Sequence, residues 1–341
     1  MKNTIFTTNK NRDIELTNMG FGGVPIGNLY RSLSDQEAQE TLTATWESDI
    51  RYFDTAPQYG HGLSEQRMGE FFKQYPRDSY VISTKVGRIL EPCNPGEQNT
   101  ETFFDIPNYK VVYDYSYDGV MRSYEESLKR LQMDHVDILY VHDVDIFTHG
   151  SKEASDQRIE EFLNGGYQAL CELRDAGDVK AIGAGVNDWE VCETLALRGD
   201  FDLFLLAGRY TLLEQEALNS FLPLCEQKNI GIILGGPFNS GILATGPVEG
   251  AKYNYADAPA EILDRVREIE TLCKKYQVPL PSAAIQFPLL HPSVCSVIPG
   301  GRTPLEVQRN VESLQIDIPD ELWSDLRDAG FIHPDAPVKR A

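Results

Sequence analysis

With 341 residues, 41% of them apolar, the chain is long enough for one large domain or two modest ones. A formal net charge of −21 repels phosphate backbones, which weighs against general nucleic-acid binding and against adhesion to anionic membranes. Sixteen tyrosines and fifteen phenylalanines argue against disorder, and no apolar run reaches the roughly 18 residues of a membrane-spanning helix.

In chain order, residues 1–18 are polar and lack the apolar core of a signal sequence, so a cytoplasmic protein is expected. The run 17–22 reads either as a first strand or as a hairpin piece capping the bottom of the fold. Ser34 opens a helix, with Glu37 three residues on completing a capping box and Ala38, Leu42 and Trp46 on one face. Short apolar runs ending in polar or glycine residues follow at 52–54, 80–85, 137–142, 181–185, 203–207, 230–234 and 294–298. Helical patterns alternate with them at 64–72, 117–131, 159–176, 189–197, 218–228, 259–276 and 303–313, and Gly165-Gly166 interrupts one of these. About eight β/α units favour a parallel sheet, and the count favours a closed (β/α)8 TIM barrel over an open doubly wound sheet. The expected organisation is a single α/β barrel domain over 1–341, with rim loops at 90–118 and 238–258 and a C-terminal tail at 331–341. Six scattered cysteines, Cys93, Cys171, Cys192, Cys225, Cys273 and Cys295, read as reduced thiols.

Asp54, Lys85 and His142 close three successive apolar runs, and Tyr59 stands on the loop after Asp54. Catalytic groups of such barrels sit at the C-terminal strand ends, so the four are expected to converge on one rim. A phenol can give and take a proton, but its ordinary pKa near 10 is high for work at neutral pH. Lys85 would stabilise the Tyr59 phenolate, Asp54 would keep Lys85 charged and in place, and a neutral His142 would orient the substrate oxygen. No His-Glu-x-x-His, Cys-x-x-Cys or Gly-x-Ser-x-Gly pattern supports metal-assisted hydrolysis or a serine nucleophile, so no metal is expected. His61, His135, His149, His291 and His333 read as surface or packing residues.

Residues 53–60 (FDTAPQYG), 83–87 (STKVG) and 140–143 (YVHD) resemble the signatures of the aldo-keto reductase superfamily, and the similarity covers nearly the whole chain. The resemblance implies a (β/α)8 barrel, a nicotinamide cofactor and metal-free hydride transfer, with Asp54, Tyr59, Lys85 and His142 as the catalytic tetrad. Residues 182–187 (IGAGVN) are similar to a family motif whose asparagine holds the nicotinamide carboxamide, which points to Asn187. The glutamine that usually ends the sixth strand is missing from 206–210 (LAGRY). Where many members stack an aromatic residue on the nicotinamide, Gly235 or Gly236 stands before Pro237, so that contact either falls to Phe238 or is absent. Asn239, Ser240 and Gly241 lie where the family's loop closes over the pyrophosphate, and Gly23 and Val24 lie where its first rim loop approaches the cofactor, beside Asp54. Gly300, Gly301 and Arg302 run off the last strand into a helix whose free N–H groups suit an anion, with Glu306, Arg309 and Asn310 following.

NADP-preferring members often carry a lysine where Gly300 stands and an arginine where Glu306 stands. A carboxylate at Glu306 repels a 2′-phosphate and can accept from a ribose hydroxyl, so NAD is the expected cofactor, while Arg302 and Arg309 keep NADP open. Residues 113–123 and 207–215 look like the branch of D-threo-aldose (L-fucose) 1-dehydrogenases and pyridoxal 4-dehydrogenases. The implied reaction is oxidation of the C1 hydroxyl of an aldose such as L-fucose or D-arabinose to an aldonolactone. Pyridoxal 4-dehydrogenase, general aldehyde or ketone reductase, and a cofactor-binding regulatory subunit with little turnover are the other readings. Substrate contacts are expected from Tyr59, His142 and Tyr113, with Phe103, Phe104, Tyr109, Tyr115, Tyr253 and Tyr255 as candidate aromatic walls and residues 331–334 reaching the site from the tail. The expected partner is a small molecule, an aldose or a pyridoxal-like compound, bound by a monomer or homodimer.

Overall fold

The computed structural model describes residues 1–339; Arg340 and Ala341 of the expected tail lie outside the described residues. Eight parallel strands pair in sequence order: β1 (Phe21–Gly22), β2 (Tyr52–Asp54), β3 (Val81–Val86), β4 (Ile138–His142), β5 (Ala181–Val186), β6 (Leu203–Ala207), β7 (Gly231–Gly235) and β8 (Val294–Ile298). Parallel bridges between Met19 and Val297 and between Gly22 and Gly300 bring β8 back to β1, so the sheet forms a nearly closed (β/α)8 barrel. The N–H of Gly20 donates to the carbonyl of Val297 at 2.8 Å across this seam. Both faces of the strands are buried, which explains why they read as continuous apolar runs without alternation.

Two cores follow from that arrangement. Inside the barrel, Tyr52, Val81, Ile138, Tyr140, Leu203, Leu205 and Ile233 meet Phe6, Ile14 and Leu16. Those last three come from an N-terminal antiparallel hairpin, Asn3–Thr7 with Asp13–Thr17, that plugs the bottom. The run 17–22 is therefore divided: Thr17 ends the plug, and Phe21–Gly22 is the first barrel strand. The larger core lies between the strands and the surrounding helices.

The helices longer than one turn are α1 (Asp35–Glu47), α2 (Leu63–Phe72), α3 (Tyr117–Leu131), α4 (Lys152–Glu161), α5 (Tyr167–Ala176), α6 (Trp189–Arg198), α7 (Phe221–Lys228), α8 (Ala260–Lys275), α9 (Leu280–Gln286), α10 (Pro304–Gln315) and α11 (Asp320–Asp328). The capping box of α1 forms as expected, with both Ser34 and Glu37 bonded reciprocally. The helix expected over 159–176 starts earlier, at Lys152, and passes through a π-helical turn at Phe162–Gly166. There the Gly166 N–H donates to the Tyr115 carbonyl at 3.1 Å, so close that a Cβ at Gly166 would lie 2.5 Å from the same oxygen. Sequence periodicity did not signal α9, which is one short, nearly all-buried segment, or the highly charged α11. Among the described residues no helix is long and apolar enough to cross a membrane.

The first rim insertion is not an unstructured loop: Arg88–Pro92 pairs with Tyr109–Tyr113 as an antiparallel hairpin, and α3 already begins at Tyr117. The second contains a helical turn, Ile242–Thr245, and a ribbon of Lys252–Tyr253 with Ala256–Asp257. The tail is tied to the loop after β6, where the Gln215 amide donates to the Phe331 carbonyl at 3.0 Å and accepts from the His333 N–H at 2.6 Å. Phe331 and Ile332 are buried in the outer core, so they face packing and not the tetrad.

β5 needs its glycines. A Cβ on Gly183 would lie 1.6 Å from the Leu203 carbonyl oxygen of β6. Gly183→Ala is expected to destabilise the barrel by at least about 3 kcal/mol, at the upper end of overpacking costs, and thermal unfolding of the purified variant measures it. A shift in midpoint of less than a degree would contradict this packing.

Candidate active site

The site grows from the pairing of β2 with β3, which sets Asp54 opposite Ser83. Lys85, two residues on, then points the same way as Ser83, because side chains alternate along a strand. Its Nζ donates to Oδ2 of Asp54 at 2.7 Å and to the Thr55 carbonyl at 2.8 Å. Ser83 Oγ donates to the other carboxylate oxygen at 2.7 Å, and since its proton is committed there, the Tyr52 hydroxyl 3.0 Å away donates to Ser83. Both charged side chains are almost fully buried, at 1% and 2% exposure. Burial pushes the Lys85 ammonium below and the Asp54 carboxyl above their ordinary ranges, and each partner pulls the other back towards its charged form.

The third ammonium proton is left for the side of Tyr59. Lys85 Nζ lies 4.6 Å from the centre of that ring, and the His142 ring stands edge-on to it at 5.9 Å and 84°. All four residues expected to converge do so at the C-terminal rim. One expectation is corrected: Tyr59 is not brought down towards neutrality by Lys85. Burial is the main cause that holds its phenol well above 10, Asp54, Asp143 and Tyr255 add to it, and Arg88 opposes them. The physical reason is that a phenolate would lose its hydration in this buried position, and Lys85, bonded to Asp54 and the Thr55 carbonyl, does not offset that loss.

His142 is held neutral, chiefly by burial and further by the cations Arg88 and Lys85. Its Nδ1 is buried without a partner, which favours the tautomer with the proton on Nε2, since an unbonded lone pair costs less than an unbonded N–H. Nε2 lies 3.2 Å from Oδ2 of Asp143. Asp143 is ion-paired with Arg88, and burial raises its carboxyl to about 7 against the pull of Arg88. Tyr115, fully buried, donates from its hydroxyl to the His142 carbonyl at 2.8 Å and so braces the end of β4.

The expected cofactor residues fall in four places. Asn187 follows β5; its N–H donates to Asp145 Oδ2 at 2.7 Å, and no described residue donates to its Oδ1. Gly235 ends β7, Pro237 and half-buried Phe238 follow, and Asn239, Ser240 and Gly241 all have positive φ. The Asn239 side chain is spent inside the protein, donating to the Gly208 carbonyl at 3.0 Å and accepting from Thr211 at 2.6 Å. Phe238 packs against the outer core. Gly23 is a packing glycine, its Cβ position 2.6 Å from the Asp54 carbonyl, and Val24 opens the turn Pro25–Gly27. At the N-terminus of α10, Glu306 accepts from the Arg302 N–H at 2.8 Å and from its guanidinium at 3.2 Å, Asn310 donates to the Gly300 carbonyl at 3.3 Å, and Arg309 is exposed. A Cβ on Gly300 would lie 2.6 Å from Pro25 Cγ.

Tyr113 is half-buried with the Arg88 guanidinium over its ring at 5.2 Å. Of the candidate walls, Tyr115 and Phe103 are buried, whereas Phe104 and Tyr255 are exposed, Tyr255 packing against Phe147 at 5.5 Å. Sequence reading missed Arg88, Asp143 and Asp145; their only signal was charge immediately after β3 and β4, which resembles solvated loop.

A lysine–aspartate pair beneath a tyrosine, at the C-terminal rim of a (β/α)8 barrel, has the groups that acid–base chemistry at a hydroxyl or carbonyl requires. The model of the Aldo/keto reductase family matches residues 18–330, and the chain belongs to that family. It is an oxidoreductase of a family that acts on small molecules with NAD(P). It is 42% identical to pyridoxal 4-dehydrogenase of Microbacterium luteolum over 94% of this chain and 95% of that protein. It is 41% identical to D-threo-aldose 1-dehydrogenase of a Pseudomonas species, over 92% and 94%. Among solved structures, the holo form of an aldo-keto reductase from Bacillus halodurans superposes with a TM-score of 0.74 at 22% identity, over 96% of each chain.

Removing the charge of Asp54 while keeping its shape strands a buried ammonium. Asp54→Asn is expected to cost about 3–5 kcal/mol in urea unfolding, and adding Lys85→Met to recover a large part of it. A double variant less stable than the single one would contradict the pairing.

Proposed function

We propose that the protein is an NAD-dependent dehydrogenase that oxidises the C1 hydroxyl of a ring-form aldose, such as L-fucose or D-arabinose, to the aldonolactone. The observation that carries this reading is the buried Lys85–Asp54 pair beneath Tyr59, with His142 at the ring's edge. Tyr59, as phenolate, takes the C1 hydroxyl proton; Lys85 supports its negative charge, Asp54 holds Lys85, and His142 donates from Nε2 to the C1 oxygen as it becomes a carbonyl. The cofactor supplies the acceptor for the hydride that leaves C1.

The residues present fit a nicotinamide dinucleotide. Asn187 keeps a free Oδ1 for a carboxamide. Gly241, with nothing within 4 Å of its Cβ position, leaves open backbone for a phosphate. Arg302 and Arg309 would flank the adenosine end. Preference for NAD rests on Glu306, whose carboxylate also neutralises Arg302, and on Gly300, where Pro25 leaves little room for a lysine. kcat/KM with NAD is expected to exceed that with NADP by at least about tenfold, and Glu306→Arg to narrow the gap. Equal or better performance with NADP in the unmodified enzyme would sink the preference.

A second reading is favoured by the 42% identity to a pyridoxal 4-dehydrogenase. Pyridoxal carries a hydroxymethyl group beside its aldehyde and closes to a hemiacetal, so it presents the same oxidisable group as a ring-form sugar. NADH formation with aldoses and with pyridoxal separates the two, and a protein that binds NADH but turns over neither, nor simple aldehydes, would be a cofactor-binding subunit instead.

Because burial holds Tyr59 above its ordinary value, its basic form grows about tenfold per pH unit below that value. Oxidation measured as kcat/KM is therefore expected to rise across pH 7 to 9. Tyr59→Phe should lower turnover by at least about 10²-fold while leaving the NAD dissociation constant unchanged, as steady-state kinetics and a fluorescence titration will show. Retention of more than a few per cent of activity would remove Tyr59 from its role.

A further inference from the structure

The proposed mechanism uses His142 Nε2 but not the carboxylate beside it. Oδ2 of Asp143 lies 3.2 Å from that nitrogen, so an oxygen hydrogen-bonded to Nε2 sits within one hydroxyl's reach of Asp143. The carboxylate is ready for a further donor. It has about four lone-pair sites, and its side-chain neighbours are the Arg88 guanidinium and His142 Nε2, both at Oδ2, and the Asn187 amide at a long 3.5 Å from Oδ1. Its side chain remains 13% exposed, whereas Asp54 is closed off. Arg88 begins the rim hairpin and stands opposite Tyr113 in its ladder, so this pair is built by the insertion and not by the barrel alone.

We infer that Asp143 is a substrate-binding residue: its carboxylate accepts a hydrogen bond from a second hydroxyl, one or two carbons from the reacting carbon, and Arg88 holds it in place. This deepens the proposed function and rests on His142 contacting the reacting oxygen. The two substrate names carried by the relatives share this feature, since an aldose has its C2 hydroxyl beside C1 and pyridoxal has its phenolic hydroxyl beside the aldehyde-bearing carbon. The groups facing Asp143 are Arg88 from the hairpin, Lys85 from β3, His142 and Asp145 around the end of β4, Asn187 after β5, and the hydroxyls of Tyr59, Tyr115 and Tyr255 from the rim. Burial, more than any neighbouring charge, raises its carboxyl to about 7. The acceptor is thus present above that pH and is lost as pH falls through it.

The test uses matched substrates in the full-length enzyme: an aldose against its 2-deoxy analogue with NAD, and salicylaldehyde against benzaldehyde with NADH. The unmodified enzyme is expected to lose roughly 10- to 100-fold in kcat/KM when the second hydroxyl is missing, the range of one hydrogen bond to a charged group. In Asp143→Asn, or Asp143→Ser should the amide disturb Arg88, that penalty should shrink to about twofold or less. A wild-type enzyme indifferent to the second hydroxyl, a variant that keeps the full penalty, or no turnover of any of the four compounds overturns the inference. If only the aldehyde pair is turned over and shows the penalty and its loss, Asp143 stands and the sugar reading falls.

Discussion

Everything at the rim depends on one buried ion pair. An ammonium and a carboxylate at 1% and 2% exposure each lose several kcal/mol of hydration, and a contact of 2.7 Å offsets that only with further hydrogen bonds. The protein provides them through the Thr55 carbonyl, Ser83 and, behind Ser83, Tyr52. This chain exists only in one register of β2 against β3. A slip by one residue would turn Lys85 to the opposite face of the sheet, away from Asp54. The plugging hairpin, the interior core and the seam between β8 and β1 all hold that register from the far end of the barrel.

Around this pair, charge is unevenly placed. Asp54 and Asp143 both oppose ionisation of Tyr59, and Asp145 adds a third carboxylate around Arg88, so in this cluster carboxylates outnumber the cations Lys85 and Arg88. That imbalance adds to burial in holding the phenol up despite a lysine at 4.6 Å from its ring centre. It also makes a positive charge welcome in the cleft, and an oxidised nicotinamide ring carries one. The same groups that make Tyr59 a reluctant base when alone thus favour binding of the oxidised cofactor that the proposed reaction starts from.

The barrel and the meeting of Asp54, Tyr59, Lys85 and His142 were legible because polar residues ending fully apolar runs have a single natural place, the C-terminal rim. What escaped reading was set by tertiary contact. Arg88 and Asp143 look like solvated loop charges and are instead joined across the rim. Tyr115 looks like a wall residue and is instead a buried brace. The hairpin at 88–113 and the π-helical turn at Phe162–Gly166 follow from close backbone approach, which periodicity does not record. The direction of the Tyr59 shift was misjudged because residue types reveal neighbours but not how deeply a phenol is buried.

The glycines of β5 carry an evolutionary consequence. A Cβ on Gly185 would come within 3.1 Å of Lys85 Cε, and one on Gly183 would strike β6. The wall facing the lysine is therefore kept bare of side chains, and a substitution there shifts Lys85 or β6 before it reshapes the cleft. Diversification is channelled instead into the two insertions, whose residues can change while the strands stay fixed. A lineage acquiring a new substrate is thus expected to record the change in its hairpin and ribbon, and a directed-evolution library is best spent on the same two segments.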